Sequence, residues 1–126
     1  MKSDRYLLSW FCSYNKKYFG NRLPETLICW SIMKPNSDGD TPIGRQLRPC
    51  KIRYRVVGKK WTIFKNDRPT ILISNDLRTR NWESIARWTL LHEMCHLALP
   101  IKLVHGPRFH KEMLRLAKRG AFKGLW

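Results

Sequence analysis

The hydrophobic period of the chain changes twice. Between residues 4 and 19, Tyr6, Leu7, Trp10, Phe11, Tyr14, Tyr18 and Phe19 recur at three- and four-residue steps, which lines one face of a helix. Gly20 and Asn21 then stop it. "TLICWSIM" (26–33) is apolar and rich in β-formers and predicts a strand, and "KPNSDGDTP" (34–42) is turn chemistry in an exposed loop. In "CKIRYRVVG", Cys50, Ile52, Tyr54 and Val56 alternate with Lys51, Arg53 and Arg55, so a strand there has one apolar and one basic face. "GKK" turns the chain, "WTIF" (61–64) returns it, and "PTILIS" (69–74) is a further strand. From Trp82 the period is helical again through Ile85, Ala86, Leu90 and Leu97, with Asn81 as the cap and Pro100 as the end. Gly106-Pro107 opens a third helix with Phe109, Met113, Leu116 and Ala117 as its apolar stripe, and Gly120 closes it. The order predicts an α+β fold: an N-terminal helix, a small, mostly antiparallel sheet carrying a basic hairpin, a second helix and a C-terminal helix.

Composition narrows the setting. The 126 residues are expected to form a single domain, 1–126, and 43% hydrophobic residues can build its core. No run of about eighteen apolar residues is present, so no membrane partner is expected. The N-terminus lacks the apolar block and cleavage site of a signal peptide, so the expected location is the cytoplasm. Cys12, Cys29, Cys50 and Cys95 form no C-x-x-C pair and read as reduced, buried thiols. Cys95 stands apart because it lies among histidines.

Charge changes the picture more. Twenty-five Lys and Arg face nine Asp and Glu, a formal +16, which points to a polyanionic partner such as nucleic acid. The excess is concentrated at residues 45–68 and 102–126. Arg53, Arg55, Lys59 and Lys60 on the hairpin are the candidate DNA contacts. Tyr54, Trp61 and Phe64 lie among them and can stack on unpaired bases, although the alternation places Tyr54 on the sheet's core face.

All four histidines, His92, His96, His105 and His110, lie in "LLHEMCHLALPIKLVHGPRFH". "HEMCH" is an H-E-x-x-H pattern inside the second helix. Four residues are close to one turn, so His92 and His96 project side by side and can share one Zn²⁺. Glu93 is rotated by about 100° from His92 and can reach a water at the ion rather than the ion itself. A catalytic zinc keeps three protein ligands and one open position. The extended pattern H-E-x-x-H-x-x-G-x-x-H is absent, because Leu99 and Lys102 stand where its Gly and third His would fall. His105 is the next donor. His110 is the weaker candidate and is expected to line the cleft instead.

The run "LLHEMCHLAL…VHGPRFHKEM" resembles the zinc-protease core of the SprT-like family, in which an H-E-x-x-H helix is followed by a His before Gly, then an aromatic residue and a Met. His92, Glu93, His96, His105, Gly106, Phe109 and Met113 match that pattern. "YNKKYFGNRLPETLICWS" (14–31) is similar to the family's first helix, its Asn-x-x-x-Phe ending and the following Trp strand. "ILISNDL" (71–77) looks like the strand before the metal helix. The resemblance implies a zinc metalloprotease with one Zn²⁺ on His92, His96 and His105 and Glu93 as general base. It also implies protein substrates bound or crosslinked to DNA, and a DNA-associated location. Many members carry a C-terminal zinc ribbon, which these cysteines cannot build, and the segment 44–68 is longer and more basic than a minimal family hairpin. For the oxyanion, His110, Arg108 and Tyr54 are the candidates. The alternative reading is a nucleic-acid-binding protein, single-stranded DNA included, whose zinc is structural or idle. A peptidase for small peptides is the third, disfavoured by the charge.

Overall fold

Asp4 starts the first helix, α1 (Arg5–Tyr18), by accepting the Tyr6 and Leu7 backbone N–H groups on Oδ1 at 3.0 and 3.1 Å. The computed structural model describes residues 3–35, 37–47, 50–57, 60–66, 68–99 and 105–125. Five strands follow: β1 (Leu27–Ser31), β2 (Gly44–Leu47), β3 (Cys50–Val57), β4 (Lys60–Asn66) and β5 (Thr70–Ser74). Two short 3₁₀ turns, Asn75–Leu77 and Arg80–Trp82, lead into α2 (Glu83–Ala98), and α3 (Pro107–Lys118) completes the fold. The class is α+β, as the sequence predicts.

Two features of the sheet differ from expectation. The main sheet is mixed, with order β1-β5-β2: β1 runs parallel to β5, with Ile28 opposite Ile71, and β2 runs antiparallel to it. β5 takes the centre, covered on both faces: Ile71 and Ile73 are fully buried on one, and Thr70 and Ser74 are buried on the other with Leu72 half-buried between them. The strand β2 has no apolar alternation in "GRQL" and was not expected. β3 and β4 form the separate antiparallel hairpin, with a register irregularity between Cys50 and Arg53.

α2 packs against β2, β5, α1 and α3. Being surrounded, it buries Leu91, Met94 and Cys95 as well as Ala86, Leu90 and Leu97, while Trp82 and Ile85 of the expected stripe are exposed. Asn81 is not its cap. Trp82 occupies that position without a side-chain bond, and the preceding 3₁₀ turn carries the chain in, with Trp82 N–H donating to the Thr79 carbonyl at 3.0 Å. The helix ends at Leu99, and Pro100 lies outside the described residues. On α1, Tyr6 is exposed whereas Leu7, Phe11, Tyr14 and Tyr18 are buried. On α3, Phe109 and Leu116 are buried, Met113 packs against the core, and Ala117 is exposed. Gly120, at φ +83°, reverses the chain after α3 so that Ala121 and Phe122 return to the core.

Two arginines fasten the helices to one another. Arg87 of α2 donates to the Tyr14 hydroxyl at 2.7 Å and lies over the Trp10 and Tyr14 rings. Arg115 of α3 donates to the Tyr18 carbonyl at 2.7 Å and pairs with Glu112. Cys95 is fully buried and its thiol is pushed up to about 12 by burial, so it is a core side chain without reactivity. Cys29 is half-buried, and Cys12 is exposed, against the expectation of buried thiols. Among the described residues no helix is long and apolar enough to cross a membrane.

Candidate metal centre

Helical spacing brings His92 and His96 together, and the start of α3 adds His105. The ligand nitrogens of these three lie within 4.8 Å of one another. His105 Nε2 is 3.0 Å from His96 Nε2 and 3.3 Å from His92 Nε2. Hydrogen bonding alone does not satisfy this arrangement. A ring nitrogen offers either one proton or one lone pair, so His105 Nε2 cannot pair well with both partners. Nitrogens bound tetrahedrally to one zinc at about 2.0–2.1 Å stand about 3.3 Å apart, and the observed separations fit such an ion.

The surroundings hold the rings. Phe109, buried at the start of α3, stacks on His96 with centroids 4.4 Å apart and meets His92 and His105 edge-on at 5.0 Å. Trp88, one turn before His92, stacks on its other side at 5.2 Å, and Phe122 braces Trp88. His92 Nδ1 is buried with no hydrogen-bond partner among the described residues, so its tautomer is set by what Nε2 faces. Burial, with the like charges of His96 and His105, lowers the His92 pKa to about 4. Its imidazole is therefore neutral near pH 7, the form a metal requires. His105 is exposed and sits at φ +51°, a left-handed conformation that histidine tolerates better than bulky branched residues.

Glu93 is 6% exposed, and burial raises its carboxyl to about 7. The wall opposite is Gly44, the first residue of β2. A Cβ there would stand 2.5 Å from Thr89 Cγ2 and 3.1 Å from Glu93 Oε1, so only glycine lets the strand approach the helix this closely. An open cleft of about 530 Å³ runs between the histidines and β2, lined also by Arg45, Gln46 and Trp88. Sequence reasoning missed Gly44, Arg45, Gln46 and Trp88. An isolated glycine before a polar run was the one available signal. Gly44→Ala is expected to displace Thr89 and Glu93 and to destabilise the fold by about 1–3 kcal/mol, as overpacking does. Urea denaturation measures this, and an unchanged midpoint would remove the close-approach argument.

The other candidates fall elsewhere. His110 is exposed and belongs neither to the histidine group nor to the cleft lining, which corrects its expected place. Arg108 lines a separate groove along α3. Arg53 and Arg55 stand on β3 opposite Phe64 and Thr62, Lys60 opens β4, Tyr54 pairs with Ile63, and Lys59 lies outside the described residues.

An H-E-x-x-H helix, a third histidine after a chain reversal, and a buried carboxyl beside them form a group that could hold a metal ion. The chain belongs to the SprT-like family, whose model matches residues 7–123. That family is associated with metalloprotease activity and with zinc. Comparison with curated proteins gives no match.

Proposed function

We propose that this protein is a zinc-dependent metalloendopeptidase acting on proteins bound or crosslinked to DNA. The observation that carries the peptidase reading is the convergence of the His92, His96 and His105 nitrogens beside the buried Glu93 carboxyl. Zn²⁺ held by the three imidazoles supplies a Lewis acid that polarises the scissile carbonyl and acidifies water. Glu93 accepts the proton of the attacking water on its carboxylate and returns it to the departing amine as the C–N bond breaks. Its burial beside the histidines places the carboxyl where a water at the ion would lie. Phe109 and Trp88 hold the imidazoles in place, so the site needs little rearrangement. Arg45 and Gln46 on β2 are the polar groups on the substrate side of the cleft.

The +16 charge supports DNA as the element that brings substrate to this site, with Arg53, Arg55, Lys59 and Lys60 among the phosphate contacts. Protein purified without chelator is expected to carry about one zinc per chain and to cleave a DNA-bound basic protein. Chelation abolishes cleavage and added zinc restores it. A protein that neither carries zinc nor takes it up ends the peptidase reading and leaves a nucleic-acid-binding module.

A further inference from the structure

A second concave surface lies at the opposite end of α2 from the histidines. The start of α1, β1 and the segment leading into α2 enclose a groove of about 860 Å³. Three arginines line it, Arg5, Arg78 and Arg80, together with the aromatic rings of Tyr6, Trp10 and Trp30. None of the three arginines makes an ion pair among the described residues. The acids present are Asp4, whose carboxylate is engaged in capping α1, and Glu83.

The aromatic residues are not explained by packing alone. Tyr6 is 74% exposed, because α1 faces the core with Leu7, Phe11 and Tyr14 instead. Trp10 and Trp30 rest against the core with part of each ring open, and Arg87 lies over the Trp10 ring. A cationic groove with open aromatic faces suits a chain that presents phosphates and unstacked bases alternately. A duplex keeps its bases stacked and offers these rings nothing. By contrast, the groove along α3 carries Arg108, Lys111 and Lys118 but no aromatic residue, so it can read charge only.

We propose that the groove formed by Arg5, Tyr6, Trp10, Trp30, Arg78 and Arg80 binds single-stranded nucleic acid, with arginines on phosphates and rings on bases. This rests on the nucleic-acid part of the proposed function and gives it a second surface besides the hairpin. The groove reaches Glu83, nine residues before His92 on the same helix, or about 14 Å along the axis. A strand held there keeps an attached protein within reach of the metal cleft.

The test is fluorescence anisotropy of a labelled oligothymidylate with the zinc-loaded protein. Tyr6→Ala is expected to weaken binding about tenfold, the scale of one lost base stack. Tyr6→Trp restores it. An abasic sugar-phosphate oligomer is bound equally by wild type and Tyr6→Ala. Arg78→Ala with Arg80→Ala weakens binding and lowers the salt slope by about 1.4, two phosphate contacts at about 0.7 each on a single strand. Lys111→Ala with Lys118→Ala is the charge-matched control, and thermal midpoints verify folding. If the control loses affinity while the groove variants bind like wild type, the groove is not the site, although the protein still binds DNA. If wild type binds a duplex but no single strand, the groove proposal falls while the nucleic-acid reading stands, and if it binds neither, both fall. Hydrolysis of a DNA-free unstructured protein by wild type, run in parallel, tests the peptidase reading separately.

Discussion

Glu93→Gln is expected to lower kcat by about 10²–10⁴-fold, the range for loss of a positioned general base, while zinc content stays at that of wild type. Glutamine has nearly the same shape, so the approach of Gly44 and the packing against Thr89 survive. What it lacks is a carboxylate to take the proton. The variant also has a stability signature in metal-free protein. Burial raises the Glu93 carboxyl from 4.5 to about 7, so the folded state holds a proton that the unfolded chain has released. Stability therefore falls as pH rises from about 4.5 to about 7, by roughly 3 kcal/mol if the whole shift is realised. His92 acts in the opposite sense: its pKa is lowered from 6.5 to about 4, so stability falls as pH drops through that window. In the wild type the two trends overlap and partly cancel. In Glu93→Gln the His92 trend stands alone, and the variant is the more stable protein above pH 7. Urea denaturation in chelator across this range checks it, and superimposable pH curves for the two proteins would contradict the buried carboxyl.

The second large effect is expected at His105. His105→Ala should weaken zinc binding by at least about 100-fold, more than the loss of a supporting hydrogen bond around a ligand. Its side chain is exposed, so folding loses little. His110→Ala, five residues on, is expected to bind zinc like wild type, because His110 lies outside the histidine group. Competition with a chromophoric chelator gives both affinities. Full zinc affinity in His105→Ala together with loss in His110→Ala would reverse the ligand assignment.

Much of this site is written in local spacing. A four-residue step on a helix is close to one turn, so the pairing of His92 and His96 follows from the chain alone. So do the ends of α1 and α3, where Gly20, Asn21, Pro107 and Gly120 act through backbone geometry rather than through distant partners. The strand β2 was not legible, because "GRQL" is held by its pairing with β5 and by the absence of a side chain at Gly44, not by any apolar alternation. The parallel pairing of β1 with β5 was hidden for a related reason, since strands distant in sequence pair only when the sheet assembles. Periodicity also misjudged α2. A helix enclosed by a sheet and two other helices has no single buried stripe, which is why Met94 and Cys95 lie in the core. The asparagine expected to cap it was displaced by a 3₁₀ turn.

The sequence by itself determined the fold class, the helix that carries the H-E-x-x-H residues, and the side-chain types that a metal requires, since these rest on backbone periodicity and side-chain identity. Only the tertiary structure brought the His105 nitrogen beside those of His92 and His96, buried the Glu93 carboxyl, set β2 as the wall of the cleft, and gathered Arg5, Tyr6, Trp30 and Arg80 into one groove. Each of those depends on distances and burial between segments far apart in the chain, and no local pattern encodes them.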